Sequence, residues 1–394
     1  MPASRAPTPN YDLAIVGAGM VGLAHAYSAA KLGRRVVVLD REQASAGAGA
    51  TGYGLNVVSG QPSGLAWQRA KRSGEILQEI AKAVGLAMDQ RGLMTLAVRP
   101  EGLDLIESFA KSPMGEGCQM LSPENARKRV PVLKDGGFLG AMWSPHELRY
   151  ETRSFCASLS RWLAETHAVT FMRGVHVRSV FPSRIDTSAG PVRAEAVIVC
   201  PGEEMLALFA SRIANYRLTR TRVQMLRLAP GRRMRLPVPV QTDLGLLASP
   251  GFAELPDARN LALRLANERG DPNGPNIRML AVQATDRSLI VGDGRVTAPS
   301  PDPFMPANTE QQILGELDRV LDMPDRLVVE RWTGTYVVAD RPLIIDQPTD
   351  AVRLVMPTGG FGASMAFAVA EEVVADLFVS TASGPAHTSS HASE

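Results

Sequence analysis

The chain has 394 residues, of which 45% are hydrophobic and 21% charged, and these globular values exclude a disordered chain, a collagen and a coiled coil. Lys and Arg number 42 against 40 Asp and Glu, a formal charge of +2, so the whole chain has no basic excess for nucleic acid or an anionic membrane. The length predicts two or three structural lobes.

Cysteine usage and the first residues indicate the compartment. Cys118, Cys156 and Cys200 show neither paired nor Cys-x-x-Cys spacing, which predicts a reducing environment and no metal framework. Residues 1–10 lack the basic-then-apolar pattern of a secretory signal, and no run of about 18 uncharged apolar residues could span a bilayer. We therefore expect a cytoplasmic protein without a metal site or a membrane span.

The first predicted unit is a strand, a glycine turn, a helix and a second strand. Residues 11–16 form a compact apolar run that leads into Gly17-Ala-Gly19-Met-Val-Gly22. Residues 23–32 are Ala-rich and favour a helix, and residues 35–39 predict a second buried strand that ends at Asp40. This order of strand, GxGxxG, helix, strand and acid is the dinucleotide-binding fingerprint.

Each residue type in the fingerprint has a physical task. Gly17 permits a tight turn, Gly19 lets the backbone approach a pyrophosphate, and Gly22 lets the helix pack closely against the strand. The helix N-terminus presents free N–H groups and a positive dipole end to the phosphates. Asp40 can accept hydrogen bonds from ribose hydroxyls and disfavours a 2′-phosphate, which leaves NAD and FAD as the candidates.

Later segments help to distinguish FAD from NAD as the ligand. Residues 46–54 are a loop of small residues with room for an extended cofactor, and residues 174–180 and 194–202 predict strands, the second ending in a Pro-Gly turn. Residues 352–378 predict a strand, the glycine loop Pro357-Thr-Gly-Gly-Phe-Gly-Ala-Ser364 and a helix. This loop directs backbone N–H groups and a positive helix end toward an electron-rich group, for which a flavin is suited.

Taken together, these segments resemble the superfamily of D-amino-acid oxidase, glycine oxidase and sarcosine oxidase, which are FAD-dependent amine oxidoreductases. The resemblance covers roughly residues 11–378. It implies an α/β fold in which a Rossmann-type FAD-binding domain is interleaved with a smaller antiparallel-sheet α+β substrate domain. The implied ranges are 11–90, 149–215 and 331–380 for the FAD domain, 91–148 and 216–330 for the substrate domain, and 1–10 and 381–394 for disordered tails.

A branch of this superfamily linked with aminophosphonate catabolism is similar in three further segments. They are Glu147-Leu-Arg-Tyr-Glu-Thr-Arg153, Gln224-Met-Leu-Arg227 and Ser288-Leu-Ile-Val-Gly-Asp293. The resemblance to this branch implies a role in phosphonate catabolism.

The resemblance also implies FAD as the cofactor. Some sarcosine-oxidising relatives attach the flavin through a cysteine near the C-terminal region, whereas the last cysteine here is Cys200, so we expect noncovalent FAD. The candidate FAD-binding residues are Gly17, Gly19, Met20, Val21, Gly22, Asp40, Arg41, Gly47, Gly49, Ala50, Thr51, Val177, Pro201, Gly202, Gly359, Gly360, Phe361, Gly362, Ala363 and Ser364.

Substrate binding is expected to differ from that of the amino-acid-oxidising relatives. In those relatives an Arg in a Gly-x-Arg-Pro segment clamps the substrate carboxylate, and here Tyr336 stands in the matching place. A tyrosine offers one neutral hydrogen bond where a guanidinium forms a bidentate charged pair, so a different anionic end such as a phosphonate is favoured. The candidate substrate-binding residues are Arg222, Gln224, Arg278, Tyr336 and Arg341.

The function implied by the resemblance is oxidation of the C–N bond of a small primary or secondary amine, an aminoalkylphosphonate or its N-methyl derivative. The product is an imine and then an aldehyde, with O2 as acceptor and H2O2 released. Two alternatives stay open: a dehydrogenase of 2-hydroxy acids or amino acids that reduces a quinone, and a flavin-binding module without turnover.

One basic segment could suggest another partner. Eight arginines lie between Arg212 and Arg235, but they alternate with Leu, Val and Met as in a half-exposed strand. Because no aromatic residues are interleaved for base stacking, nucleic acid is not expected as a partner.

Overall fold

The structure is a computed structural model that describes residues 10–44, 47–88, 90–268 and 276–382. Two mixed sheets organise these residues, and helices cover them. The tails expected at 1–10 and 381–394 lie outside the described residues except for Asn10 and the final two residues of the last helix.

The first sheet carries the predicted dinucleotide unit. Its central strands are parallel in the order β17-β10-β1-β2-β7, and β16 adds antiparallel to β17. Strands β8 and β9 extend β10 as an antiparallel ribbon. The bounds are β1 (Asn10–Val16), β2 (Val36–Asp40), β7 (Thr170–Arg173), β8 (Val177–Phe181), β9 (Arg184–Thr187), β10 (Gly190–Val199), β16 (Leu343–Thr349) and β17 (Val352–Pro357).

Burial on both faces explains the unbroken apolar runs of this sheet. Leu13 and Ile15 of β1 pack under the helices, whereas Ala14 packs on the opposite face. A parallel sheet covered on both sides needs apolar residues at successive positions, which is the pattern that predicted β1 and β2. The helices on the first face are α1 (Met20–Lys31), α3 (Leu65–Val84), α6 (Thr152–His167) and α11 (Gly362–Ala382).

The second sheet is mostly antiparallel and has the order β15-β11-β14-β13-β12-β4-β6-β3, with β5 paired to β6. Its bounds are β3 (Leu55–Asn56), β4 (Arg91–Ala97), β5 (Gln119–Leu121), β6 (Gly140–Arg149), β11 (Thr219–Ala229), β12 (Val240–Thr242), β13 (Asn276–Gln283), β14 (Leu289–Ala298) and β15 (Leu327–Val338). The remaining α-helices are α2 (Ala48–Thr51), α4 (Pro100–Lys111), α5 (Pro123–Arg129), α7 (Ala210–Ile213), α8 (Pro250–Ala253), α9 (Ala258–Glu268) and α10 (Thr309–Val320). Short 3-10 turns span Pro113–Gly115, Ala214–Tyr216 and Asp243–Ala248.

Alternation along β11 gives the second sheet two distinct faces. Leu226 and Leu228 pack with Ile313 of α10. Val223 and Met225 point the other way and pack against the aromatic residues Tyr53, Trp332 and Tyr336. This second face, which we call the inner face, positions the candidate substrate residues.

The predicted α/β class is confirmed, and so are the strands at β1, β2, β10, β11 and β17 and the helices at α1 and α11. The strand predicted at 174–180 begins later, at Val177, and follows the short β7, which the sequence did not predict. The division into two interleaved domains stays a prediction. Its boundary at 330/331 falls within β15, which belongs to the second sheet along its whole length.

His25 on α1 links protonation to stability. It is fully buried, its Nδ1 donates to the Val21 carbonyl over 2.7 Å, and its Nε2 has no partner among the described residues. Burial lowers the pKa of His25 to about 4, against the opposing effect of the Val21 carbonyl. In the unfolded chain His25 is protonated below about pH 6.5, whereas in the native core it stays neutral down to about pH 4.

We expect the free energy of unfolding to fall by about 2 kcal/mol between pH 7 and pH 5 because of this histidine. His25→Leu should lose that part of the pH dependence while other groups still contribute theirs. Urea unfolding of both proteins at the two pH values measures the difference. Identical pH dependence in wild type and variant would contradict a neutral buried His25.

Candidate active site

A cleft of about 330 Å³ opens at the carboxyl ends of the parallel strands. This is where ligands bind in open α/β sheets, because the loops that follow adjacent strands diverge there. Its walls combine the turn after β1, the end of β2, the loop with α2, the turn after β10 and the start of α11. Thr335, Tyr336 and Val337 of β15 close it from the second sheet.

The glycines of the turn after β1 leave room for a ligand to lie against the backbone. Gly17 has φ +106°, and a Cβ there would lie 2.5 Å from the Cys200 carbonyl oxygen. A Cβ on Gly22 would overlap the Gly17 carbonyl oxygen, whereas Gly19 faces open space. The turn is therefore closed behind and open in front, as a backbone that cradles a pyrophosphate requires.

Asp40 stands at the end of β2 beside this turn. Its carboxylate accepts the Ala18 N–H over 2.5 Å and the Glu42 N–H over 2.8 Å. Because each carboxylate oxygen has a further lone pair, Asp40 can still accept from ribose hydroxyls. The two backbone donors hold it in place for that role.

The second glycine unit meets the cleft from β17. Gly359 and Gly360 have φ +74° and +79°, and a Cβ on Gly360 would lie 3.3 Å from Tyr336 Cζ. The Gly359 N–H donates to the Val337 carbonyl over 2.9 Å, which ties the loop to β15. The 21-residue helix α11 begins immediately afterwards and directs its N-terminus at the cleft.

Most predicted FAD-binding residues line this cleft. Those that do are Gly17, Gly19, Met20, Val21, Gly22, Asp40, Arg41, Gly47, Gly49, Ala50, Val177, Pro201, Gly202, Gly360, Gly362 and Ala363. Thr51, Gly359, Phe361 and Ser364 lie in the same loops but are not on its wall. The Thr51 carbonyl accepts the Trp332 indole N–H over 2.8 Å, and Ser364 Oγ accepts the Val57 N–H over 2.9 Å, so both brace the loops.

The sequence analysis missed several lining residues. Arg41 and Glu204 pair across the mouth over 3.4 Å, and only Arg41 was predicted. Cys200 and His176 also line the cleft. Their positions directly after β10 and before β8 could have identified them, because residues at strand ends converge at this edge.

A group of charged and phenolic side chains lies on the inner face, next to the cleft. Tyr336 lies near Arg295 on this face, and Arg295 forms a bidentate pair with Asp293 over 2.5 and 3.1 Å. Tyr53 donates to Asp293 Oδ2 over 3.3 Å, and the Arg278 guanidinium lies 5.6 Å from the Tyr53 ring centroid. We call these five residues the polar cluster.

Burial and neighbouring charges keep Tyr53 protonated and Arg295 charged. Burial raises the pKa of the Tyr53 phenol well above its ordinary value, and the Asp293 carboxylate adds to this effect, so the hydroxyl stays a donor. Burial would lower the pKa of Arg295, but the Asp293 carboxylate outweighs it and raises that pKa. Tyr53, Asp293 and Arg295 were not predicted, although Asp293 ends a segment that the sequence analysis singled out.

The structure brings Arg278 and Tyr336 together but not the other three substrate candidates. Gln224 pairs with Gly294 of β14, and a Cβ added to Gly294 would point at Thr309 of α10. Because cross-strand partners share a face and alternate residues of a strand do too, Gln224 and Arg222 lie on the face opposite the polar cluster. The Arg341 side chain is 54% exposed, pairs with Asp340 and lies over the Tyr216 ring. Arg222, Gln224 and Arg341 were therefore predicted from their positions in the sequence, but their side chains do not lie on the face that carries the polar cluster.

The family model described as "FAD dependent oxidoreductase", DAO, matches residues 12–377. The chain belongs to this family. Its cofactor is therefore FAD, and the cleft with its two glycine units fits that group. When bound, FAD supplies a two-electron oxidant that accepts hydride from a substrate carbon.

Glycine oxidase of Geobacillus kaustophilus is a sequence relative of this family member, 26% identical over 213 residues. That match spans 50% of this chain and 55% of the relative. The crystal structure of glycine oxidase from the same organism is similar with a TM-score of 0.74 at 18% identity, covering 96% of each chain. Iminodiacetate oxidase from Chelativorans sp. BNC1 is similar with a TM-score of 0.67 at 20% identity, covering 95% of this chain and 96% of that one.

The described ranges contain neither a membrane-spanning helix nor a metal cluster. No helix there is both long and apolar enough to cross a bilayer. No group of three or more His, Cys, Asp or Glu side chains in those ranges is placed to hold a metal ion.

We expect the flavin to be bound without a covalent link. Cys200 and Cys156 line the cleft, but burial raises the pKa of the Cys200 thiol far above neutrality, and a protonated thiol is a poor nucleophile. Acid precipitation of the purified protein should release all yellow colour into the supernatant. Colour retained in the washed pellet would contradict this prediction.

Proposed function

We propose that this FAD-dependent oxidoreductase oxidises the C–N bond of a small primary or secondary amine. The relatives whose names denote glycine and iminodiacetate oxidation support an amine substrate. The observation that carries the proposal is the polar cluster, which lies beside the cofactor cleft on the inner face. It offers a cation for an anionic substrate end and a phenol at the cleft wall, Tyr336.

We further propose that the anionic end is a phosphonate, so that the substrate is an aminoalkylphosphonate or its N-methyl derivative. The resemblance places Tyr336 where amino-acid-oxidising relatives have a carboxylate-clamping arginine, which argues against a plain α-amino acid held in their manner. Arg222, Gln224, Arg278, Tyr336 and Arg341 remain the candidate substrate-binding residues of this proposal, and the geometry favours Arg278 and Tyr336.

The chain's own residues have three tasks in this reaction. They must orient the C–H bond next to nitrogen, hold the amine in its neutral form and keep bulk water away. The ring of Tyr336, against Gly360, shapes the wall where the substrate enters. The proposal requires no protein side chain to accept the carbon-bound hydrogen.

The reaction takes one amine, one O2 and one water to one aldehyde, one ammonia or methylamine, and one H2O2. A peroxide assay with aminoalkylphosphonates, their N-methyl forms, glycine and 2-hydroxy acids tests the proposal, with aldehyde measured in parallel. We expect equal peroxide and aldehyde from an aminophosphonate. Oxidation of hydroxy acids alone, or reduction of a quinone without peroxide, would overturn it.

Replacing Tyr336 by Phe removes one hydroxyl and keeps the ring against Gly360. One neutral hydrogen bond is worth about 0.5–1.5 kcal/mol, so KM for the substrate should rise roughly 2- to 12-fold with FAD content unchanged. Tyr11→Phe, at the opposite end of β1, is the matched control and should leave KM unaltered. Equal KM in wild type and Tyr336→Phe would remove Tyr336 from substrate binding.

A further inference from the structure

The polar cluster carries an uncompensated positive charge. Arg295 and Asp293 neutralise each other through their bidentate pair, and Tyr53 donates to the same carboxylate. Arg278 has no carboxylate within ion-pair distance among the described residues, and its buried Nε has no hydrogen-bond partner there. Two guanidinium groups thus face one carboxylate.

Arg278 is buried, with 9% of its surface exposed. An isolated charge at such a site is unfavourable unless it is paired, because it loses its hydration. The aromatic face of Tyr53, 5.6 Å away, offsets part of that loss but accepts no hydrogen bond from Nε. The site is therefore completed by an anion that no described residue supplies.

The surroundings hold Arg278 in one conformation. A Cβ on Gly245 would lie 2.6 Å from Arg278 Cγ and 2.9 Å from Cδ, so only glycine leaves room for the arginine stem. Packing of the stem on one side and of Tyr53 on the other fixes where the guanidinium points. A guanidinium held in this way is preorganised for planar, bidentate binding of carboxylate or phosphonate oxygens.

We propose that Arg278 of β13 is the residue that binds the anionic end of the substrate. This rests on the proposed function and names the residue that would bind its phosphonate, with a carboxylate as the competing anion in the test. Arg278 lies on β13, a different strand from β15, which carries Tyr336. Asp293 and Tyr53 act as positioning residues, since they hold Arg295 and the Arg278 guanidinium in place.

The test uses anions that cannot be oxidised, so it is independent of turnover. Isothermal titration calorimetry of the FAD-loaded protein with methylphosphonate and with acetate should show binding of at least one, and the stronger of the two identifies the anion class. Arg278→Leu should weaken that binding about 100-fold, the loss expected for a charged hydrogen-bonded pair. Arg161→Leu, an exposed position on α6, should bind as wild type does.

FAD content and thermal unfolding confirm that each variant is folded. If Arg278→Leu fails to fold, Gly245→Ala gives the same test, because its methyl group displaces the arginine stem and should weaken anion binding about 10-fold or more. Failure of both anions to bind wild type, or equal binding to folded Arg278→Leu, overturns the inference. A peroxide assay that is negative for every amine, with anion binding intact, would instead overturn the proposed function.

Discussion

Gly22→Ala is expected to weaken FAD binding strongly. The new methyl group would overlap the Gly17 carbonyl oxygen and also lie 3.4 Å from Ile15 Cγ2, so α1 must move away from β1. Forced displacement in a packed region costs about 1–3 kcal/mol, and here it acts directly on the turn that cradles the pyrophosphate. FAD affinity should fall roughly 10- to 100-fold, and the purified protein should be nearly colourless.

Gly315→Ala is the matched control for this change. Gly315 lies on the exposed side of α10, and a Cβ there meets no atom within 4 Å. The same substitution should therefore leave FAD content unaltered and stabilise the helix slightly. Fluorescence titration of the FAD-free proteins measures both affinities. Wild-type FAD affinity in Gly22→Ala would contradict the role assigned to the first glycine turn.

Arg99→Leu is expected to cause the largest loss of stability. Arg99 is buried between Asp243, at 2.6 Å, and Glu268, at 2.7 Å. Asp243 is fully buried, and it also accepts the backbone N–H groups of Val98 and Arg99 over 2.9 and 2.8 Å. Removing the cation leaves this carboxylate buried without a charge partner, which costs about 3–5 kcal/mol.

The loss should depend on pH in a defined direction. Burial raises the pKa of Asp243 to about 6 even though Arg99 opposes the shift. Without Arg99 that pKa rises further, so the destabilisation relative to wild type should be larger at about pH 8 than at about pH 5. Arg264→Leu, which breaks an exposed pair with Glu268, should cost about 1 kcal/mol or less. Equal losses for the two variants in urea unfolding would contradict a structural role for the Arg99 pair.

The spacing of apolar residues and glycines in the sequence predicted the two strand–glycine–helix units of the first sheet. The first strand, glycine turn, helix and second strand follow from apolar runs and glycine spacing, because burial on both faces of a parallel sheet leaves that signature in consecutive residues. The second glycine unit, from β17 to α11, was predictable for the same reason. Because the cofactor site is largely built from these two units, the spacing of apolar residues and glycines was enough to predict a dinucleotide site, and the resemblance of several segments indicated the family.

The substrate side could not be predicted in the same way. Arg222 and Gln224 lie on β11 and Arg278 lies on β13, with β14 between them, and which face a side chain occupies depends on the register of these three strands and on its irregularities. A single-residue change in register exchanges the two faces of a strand. Tyr53 and Asp293 meet across 240 residues of sequence, so no local signal could bring them together.

Anaerobic mixing of the yellow, FAD-loaded protein with an aminoalkylphosphonate tests the central claim most directly. We expect the visible absorbance of oxidised FAD to disappear as one equivalent of amine is added, with one aldehyde formed per FAD. Unchanged absorbance with aminophosphonates, their N-methyl derivatives and simple amino acids would contradict oxidation of a C–N bond at this cleft.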